Sequence, residues 1–231
     1  MKNLSSRYPG VEGQIYVIDN GADFEAFNAA KYPQSKQTLG FESESIVIGY
    51  IGNFPMRRGG KEVIDVVAAL RSDPRVRGLV VGDSGEAEGC RKYAEELGVA
   101  DLVTVYGEAE YSIVPSLTAA IDCGLSILRP AERGASEQKV RQYLASGACV
   151  VGTAGSNDFL RGQDFARVVE SSDMDSVVSA VDELIQQGQE AIAALGSRAR
   201  EFARNELTIA VRNDKRLQCW ARHMDIGPAG G

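Results

Sequence analysis

Between Ser45 and Val169 the chain alternates short apolar runs with helix-length amphipathic segments, and this rhythm limits the fold more than any single residue does. The runs are Ile46-Val-Ile-Gly-Tyr-Ile51, Gly78-Leu-Val-Val81, Leu102-Val-Thr-Val105, Leu125-Ser-Ile-Leu128 and Ala148-Cys-Val-Val-Gly152. A strand with one wet face alternates apolar and polar residues, whereas near-continuous apolar runs are buried on both faces. Gly60 to Arg71, Gly85 to Leu97 and Ser112 to Ala119 read as helices between them, and a short strand falls near Arg167 to Val169. Strands separated by helices pair in parallel, and right-handed crossovers wind those helices onto both faces. The predicted fold class is therefore α/β, a Rossmann-like doubly wound parallel sheet. Further helices follow over Val177 to Gln186, Gln189 to Arg204 and Leu207 to about Met224.

Composition removes several classes of function. The 231 residues suffice for one sizeable core. A net charge of −7 argues against a nucleic-acid partner, since such proteins carry a basic excess. No apolar run approaches the ~20 residues that cross a bilayer, and no charged-then-apolar leader opens the sequence. Cys90, Cys123, Cys149 and Cys219 lack metal-ligand or redox spacing, and Cys123 and Cys149 sit in apolar runs that suit reduced, buried thiols. His223 is the only histidine and lies close to the end of the sequence, so histidine-based catalysis or metal binding is set aside. The expected location is the cytoplasm, or a peripheral position at the inner face of a membrane.

In an open α/β sheet ligands bind beyond the carboxyl ends of the strands, where the winding reverses. The loops at those ends are Gly52 to Gly60, Gly82 to Gly85, Tyr106 to Tyr111 and Arg129 to Ser136. They carry glycines, which let backbone amides approach a ligand, and the cations Arg57, Arg58, Arg129 and Arg133. After the last loop, Ser136 is the predicted N-cap of a helix whose apolar positions are Val140, Tyr143 and Leu144, ended by Gly147. The positive end of that helix dipole, with Lys139 one turn in, forms an anion site. No G-x-G-x-x-G follows Ile51, so a phosphate-bearing mononucleotide fits better than a dinucleotide. Cations at a helix start oppose the dipole, and two of them in one cleft want an anion between them.

Read in order, these segments resemble the C-terminal, donor-binding half of a GT-B glycosyltransferase of the large retaining family 4. Val17-Ile-Asp-Asn-Gly-Ala-Asp-Phe-Glu-Ala-Phe27 is similar to the segment "vIpNGvDxxxF" that joins the two halves of those enzymes. Ile48-Gly-Tyr-Ile-Gly52 through Arg58-Gly59 is similar to "GyvGrl…KG", and Leu79-Val-Val-Gly-Asp83 to "lvGdG". Ser136, Lys139, Tyr143, Ala145 and Gly147 stand in place in the variant "SPxKxxEYmaxG". On this resemblance, residues 1–43 hold an interdomain-linker-like segment and the start of the domain. Residues 44–205 form the nucleotide-sugar domain, and 206–231 a crossover helix with a tail of disordered composition.

The resemblance implies transfer of a sugar from a nucleotide diphosphate to an acceptor hydroxyl with retained anomeric configuration and without a metal. No cofactor beyond the nucleotide-sugar donor is implied. Arg58 and Lys139 would carry the charge of the departing diphosphate, helped by the amides of Gly134, Ala135 and Ser136. Gly52, Asn53, Gly82 and Asp83 would line the donor site, Gly107 and Glu108 would face the nucleobase, and Gln142 the ribose. Gly134 and Gln142 stand where the family usually has two glutamates; Gln142 keeps an acceptor oxygen, and Glu132 lies near enough to replace the other. Asn53 replaces the family's usual arginine, a loss for which Arg57 or Arg133 can compensate. The acceptor, a sugar or lipid-linked sugar, would bind an N-terminal domain that residues 1–43 are too few to build. The alternatives are a non-catalytic nucleotide-sugar-fold module that binds a partner, motivated by the lost glutamates and Asn53, and another enzyme of the same layout such as a sugar 2-epimerase.

Overall fold

The computed structural model of the chain describes residues 16–129 and 137–224. Among them one six-stranded sheet runs in the order β3-β2-β1-β4-β5-β6, with every neighbouring pair parallel. Its strands are β1 Ile46–Ile51, β2 Val76–Val81, β3 Val103–Gly107, β4 Cys123–Ser126, β5 Cys149–Thr153 and β6 Ala166–Val169. All six residues of β1 are buried, as expected for a strand covered on both faces. Ile46 to Ile51 lie opposite Val76 to Val81 on one side, and Ile48 lies opposite Cys123 on the other.

Among the described residues seven helices connect and cover this sheet: α1 Gly60–Ala69, α2 Ser84–Glu96, α3 Val114–Thr118, α4 Gln138–Ser146, α5 Met174–Ile185, α6 Gln189–Glu206 and α7 Ile209–Met224. The chain adds β2 and β3 on one side of β1, then returns to add β4, β5 and β6 on the other. Right-handed crossovers in opposite directions put α1 and α2 on one face and α4 on the other. Val63, Ile64, Val66 and Val67 form the buried stripe of α1, which also packs on α5. On the opposite face α4 buries Val140, Tyr143 and Leu144 against β4 and β5, and α6 covers α4. Gly147 ends α4 at φ +90°, a left-handed turn that a side chain resists. The winding reverses between β1 and β4, and that crevice is where ligands of such sheets lie.

Several boundaries differ from the sequence reading, for physical reasons. Ile127 and Leu128 leave the ladder because β4 pairs from Cys123, and the Leu128 amide instead donates to Thr153 Oγ1 at 3.0 Å. The helix expected from Ser136 starts at Gln138 with Glu137 as its N-cap; Ser136 itself lies outside the described residues. Within the linker-like segment, Ala29–Lys31 and Ser35–Thr38 form single helical turns. Arg200 stacks on Phe24 at 4.2 Å and donates to the Ala145 carbonyl near the end of α4. Cys123 and Cys149 are buried free thiols on paired strands, and burial pushes the Cys149 thiol up to about 12.

Tyr143 ties α4 to the end of β1. Its ring is fully buried, and its hydroxyl accepts the Ile51 amide at 2.9 Å at the last position of β1. Tyr143→Phe keeps the ring and leaves that buried N–H without a partner, which costs about 1–3 kcal/mol. Urea denaturation should show the unfolding free energy falling by that amount, through a lower midpoint at unchanged slope; an unchanged midpoint would remove Tyr143 from this role.

Candidate functional site

The loop after β1 is braced by contacts within the protein. Tyr50, fully buried, donates its hydroxyl to the Asn53 carbonyl at 2.7 Å and so pulls the loop onto the sheet. Phe54 sits at φ +63°, a region that costs a bulky residue about 1–3 kcal/mol, while its carbonyl accepts the amides of Arg57 and Arg58, both at 3.0 Å. Arg57 pairs with Glu86 of α2 at 2.8 Å and lies over the Phe54 ring, and Glu86 also accepts the Met56 amide at 3.0 Å. The loop is thus fixed to the neighbouring helix. Behind it the strand ends interlock: the Gly52 amide donates to Val81 at 3.0 Å and the Gly82 amide to Gly107 at 2.9 Å. A Cβ at Gly82 would stand 2.3 Å from the Gly52 carbonyl oxygen, so this approach needs glycine.

These ends and the start of α4 enclose a cavity of about 440 Å³, a size that suits a small ligand. Gly52 and Asn53 come from the β1 loop, Gly82 and Asp83 from the β2 loop, and Glu108, Ala109 and Tyr111 from the β3 loop. Glu137, Gln138, Lys139 and Gln142 close it from α4. The crevice expected at the switch point is therefore present, and seven of the predicted site residues share its wall: Gly52, Asn53, Gly82, Asp83, Glu108, Lys139 and Gln142.

Other predicted residues stand elsewhere. Gly107 is buried at the end of β3, where its carbonyl holds the Gly82 loop, and is not in the wall. Arg58 is half-buried just before α1 and is also not in the wall. Its charge still reaches the site: burial pushes the Tyr50 phenol well above its usual range, the Glu137 carboxylate adds to this, and Arg58 opposes it. Arg57, offered as compensation for the missing arginine at Asn53, pairs with Glu86, lies over the Phe54 ring and is not in the wall. Gly134, Ala135, Ser136, Glu132 and Arg133 lie outside the described residues.

Two residues that the sequence reading passes over matter most, Glu137 and Tyr50. Glu137 forms an ion pair with Lys139, and the two side chains are only 8% and 12% exposed. The Lys139 ammonium also lies 4.8 Å from the centre of the Tyr50 ring, within cation–π range. Lys139 is thus a held cation, already matched by a carboxylate. Asp83 likewise serves the framework, because its Oδ1 accepts the Gly85 amide at 2.6 Å and caps α2. The signal for Glu137 is a carboxylate two positions before a lysine, which sequence alone does not distinguish from a favourable first-turn acid. Tyr50 is hidden inside an apolar run.

Residues 45–187 match the family described as "Glycosyl transferases group 1". The chain is 28% identical over 205 residues to a D-inositol 3-phosphate glycosyltransferase of Mycobacterium ulcerans, covering 86% of this chain and 43% of that protein. The chain thus spans less than half the length of the curated relatives it matches. Among solved structures, sucrose-phosphate synthase from Thermosynechococcus elongatus superposes with a TM-score of 0.78 at 17% identity, over 98% of this chain and 57% of that one. HepE from Anabaena, solved with UDP and glucose, superposes with a TM-score of 0.76 at 19% identity, over 95% and 60%. At these identities the superpositions show a shared fold. Among the described residues no helix is long and apolar enough to cross a membrane.

Proposed function

Because the chain belongs to the glycosyl transferases group 1 family, we propose that its switch-point cavity holds a nucleotide-diphosphate sugar as the donor site of a retaining transferase. The observation that carries this reading is the convergence of three strand-end loops and the Lys139 turn of α4 on one crevice. A neighbour of the same fold was solved with UDP and glucose, which supports a nucleotide diphosphate as the ligand class. The donor's sugar–oxygen bond breaks and the diphosphate leaves with the electron pair, while the acceptor hydroxyl forms the new bond on the same face and gives its proton to an oxygen of the departing diphosphate. Negative charge therefore grows on the phosphate oxygens. Lys139 in the wall meets it and Arg58, outside the wall, adds its charge at longer range; one fixed donor in contact is worth roughly 10²–10³ in rate. The Gln142 amide oxygen accepts from the ribose hydroxyls, and Glu108 and Ala109 flank the base. No divalent metal takes part. The acceptor, a sugar or lipid-linked sugar at the cytoplasmic side, is bound by a second half of the enzyme.

A non-catalytic binding module is the second reading, and a specific observation favours it: Asp83, Glu108 and Glu137 face one lysine in the described wall. A thermal-shift titration with UDP, GDP, ADP and their sugar conjugates, with and without EDTA, separates the two. At ~100 times its Kd a ligand adds about 2.7 kcal/mol to stability. One nucleotide diphosphate should raise the melting temperature equally in both buffers. No response to any of them would favour the binding module, and a response that EDTA abolishes would remove metal independence.

A further inference from the structure

We infer that Glu137 is a built-in competitor for the anion position of this cavity and sets the affinity and charge selectivity of the donor site. The inference rests on the donor-site reading above and goes beyond it. Lys139 is the only cation in the described wall, and the carboxylate paired with it belongs to the residue that opens α4. A helix start with a lysine in its first turn, as Lys139 is here, is where an incoming phosphate is stabilised. In the unliganded protein Glu137 already occupies that electrostatic role.

The arrangement is held from both sides. Arg141 Nη1 donates to the Glu137 carbonyl at 3.0 Å, and Arg141 is itself 3.1 Å from Asp19. The backbone of Glu137 is thus pinned while its side chain reaches Lys139. With 8% and 12% exposure, neither member of the pair is much screened by water. The Tyr50 ring gives the Lys139 ammonium a second partner that persists when the carboxylate lets go. A diphosphate must therefore displace Glu137 from Lys139, and it also meets the Asp83 carboxylate in the same wall. A ligand with a single phosphate has less charge with which to win that exchange. Glu137 thereby raises the threshold of phosphate charge that the site accepts.

Glu137→Gln keeps the size of the side chain and removes the competing charge. Calorimetric titration with UDP, GDP and ADP, and with the matching monophosphates and nucleosides, tests it beside the unmodified protein. The variant should bind the preferred diphosphate about tenfold tighter, an ordinary charge coupling, and should lose part of the preference for diphosphate over monophosphate. Nucleoside binding should not change. The unliganded melting temperature should fall as the ion pair is lost. Lower unliganded stability with higher affinity is a combination that a purely structural role does not produce. If the unmodified protein binds a diphosphate and the variant binds it equally or more weakly, the inference is overturned and the donor-site reading stands. If only the variant binds, the inference is supported in its strongest form. If neither binds, the donor-site reading falls and the inference falls with it.

Discussion

Lys139→Ala is expected to weaken nucleotide-diphosphate binding by about 100-fold while leaving binding of the parent nucleoside nearly unchanged. A hydrogen bond to a charged group contributes about 1.5–3 kcal/mol, which is already one to two decades in affinity. The variant loses more than that contact. Glu137, 8% exposed, is left without its cation and faces the incoming phosphates unneutralised. Removing one partner of a nearly buried pair also lowers folding stability, so the variant should melt earlier without ligand. Adding Glu137→Gln to Lys139→Ala should restore part of both losses, because the stranded charge is gone. Calorimetry on the four proteins of this cycle measures the coupling directly. Equal losses for diphosphate and nucleoside would mean that Lys139 does not meet the phosphates.

The second large effect is expected at Gly82→Ala. The added methyl would lie 2.3 Å from the Gly52 carbonyl oxygen and 3.0 Å from the Pro55 ring, so the β1 loop must move. Overpacking of this kind costs about 1–3 kcal/mol. The loop cannot shift freely, since Tyr50 holds Asn53 from below and Glu86 holds Met56 and Arg57 from the side. The wall that Gly52 and Asn53 supply is therefore deformed. Diphosphate binding should fall at least tenfold, together with a lower urea midpoint. A variant with wild-type binding would show that the interlock of the two loops does not shape the site.

The sheet was legible because its signal is local. Ile46–Ile51 is a strand with the limits read from sequence, since six buried residues end at a glycine and a polar loop. Where a boundary depends on a partner strand, as at Cys123–Ser126, the apolar run alone misplaced it by two residues. The site was legible as a set of loops and less so as chemistry. Gly52, Gly82, Lys139 and Gln142 come together because topology brings the strand ends together. The fate of each charge depends on contacts across the fold: Arg57 is taken by Glu86 from another helix, and Tyr50 rises from the strand floor to brace Asn53. Glu137 shows the limit most clearly. An acid at a helix start is ordinary, and only the cavity wall that it shares with Lys139 makes their pairing consequential.

A crystal structure of the protein with the nucleotide diphosphate selected by the thermal-shift titration tests the central claim most directly. The account predicts the base against Glu108 and Ala109, phosphate oxygens about 2.8 Å from the Lys139 ammonium, and the Glu137 carboxylate turned away from it. A nucleotide bound outside this crevice, with the Lys139–Glu137 pair intact, would contradict it.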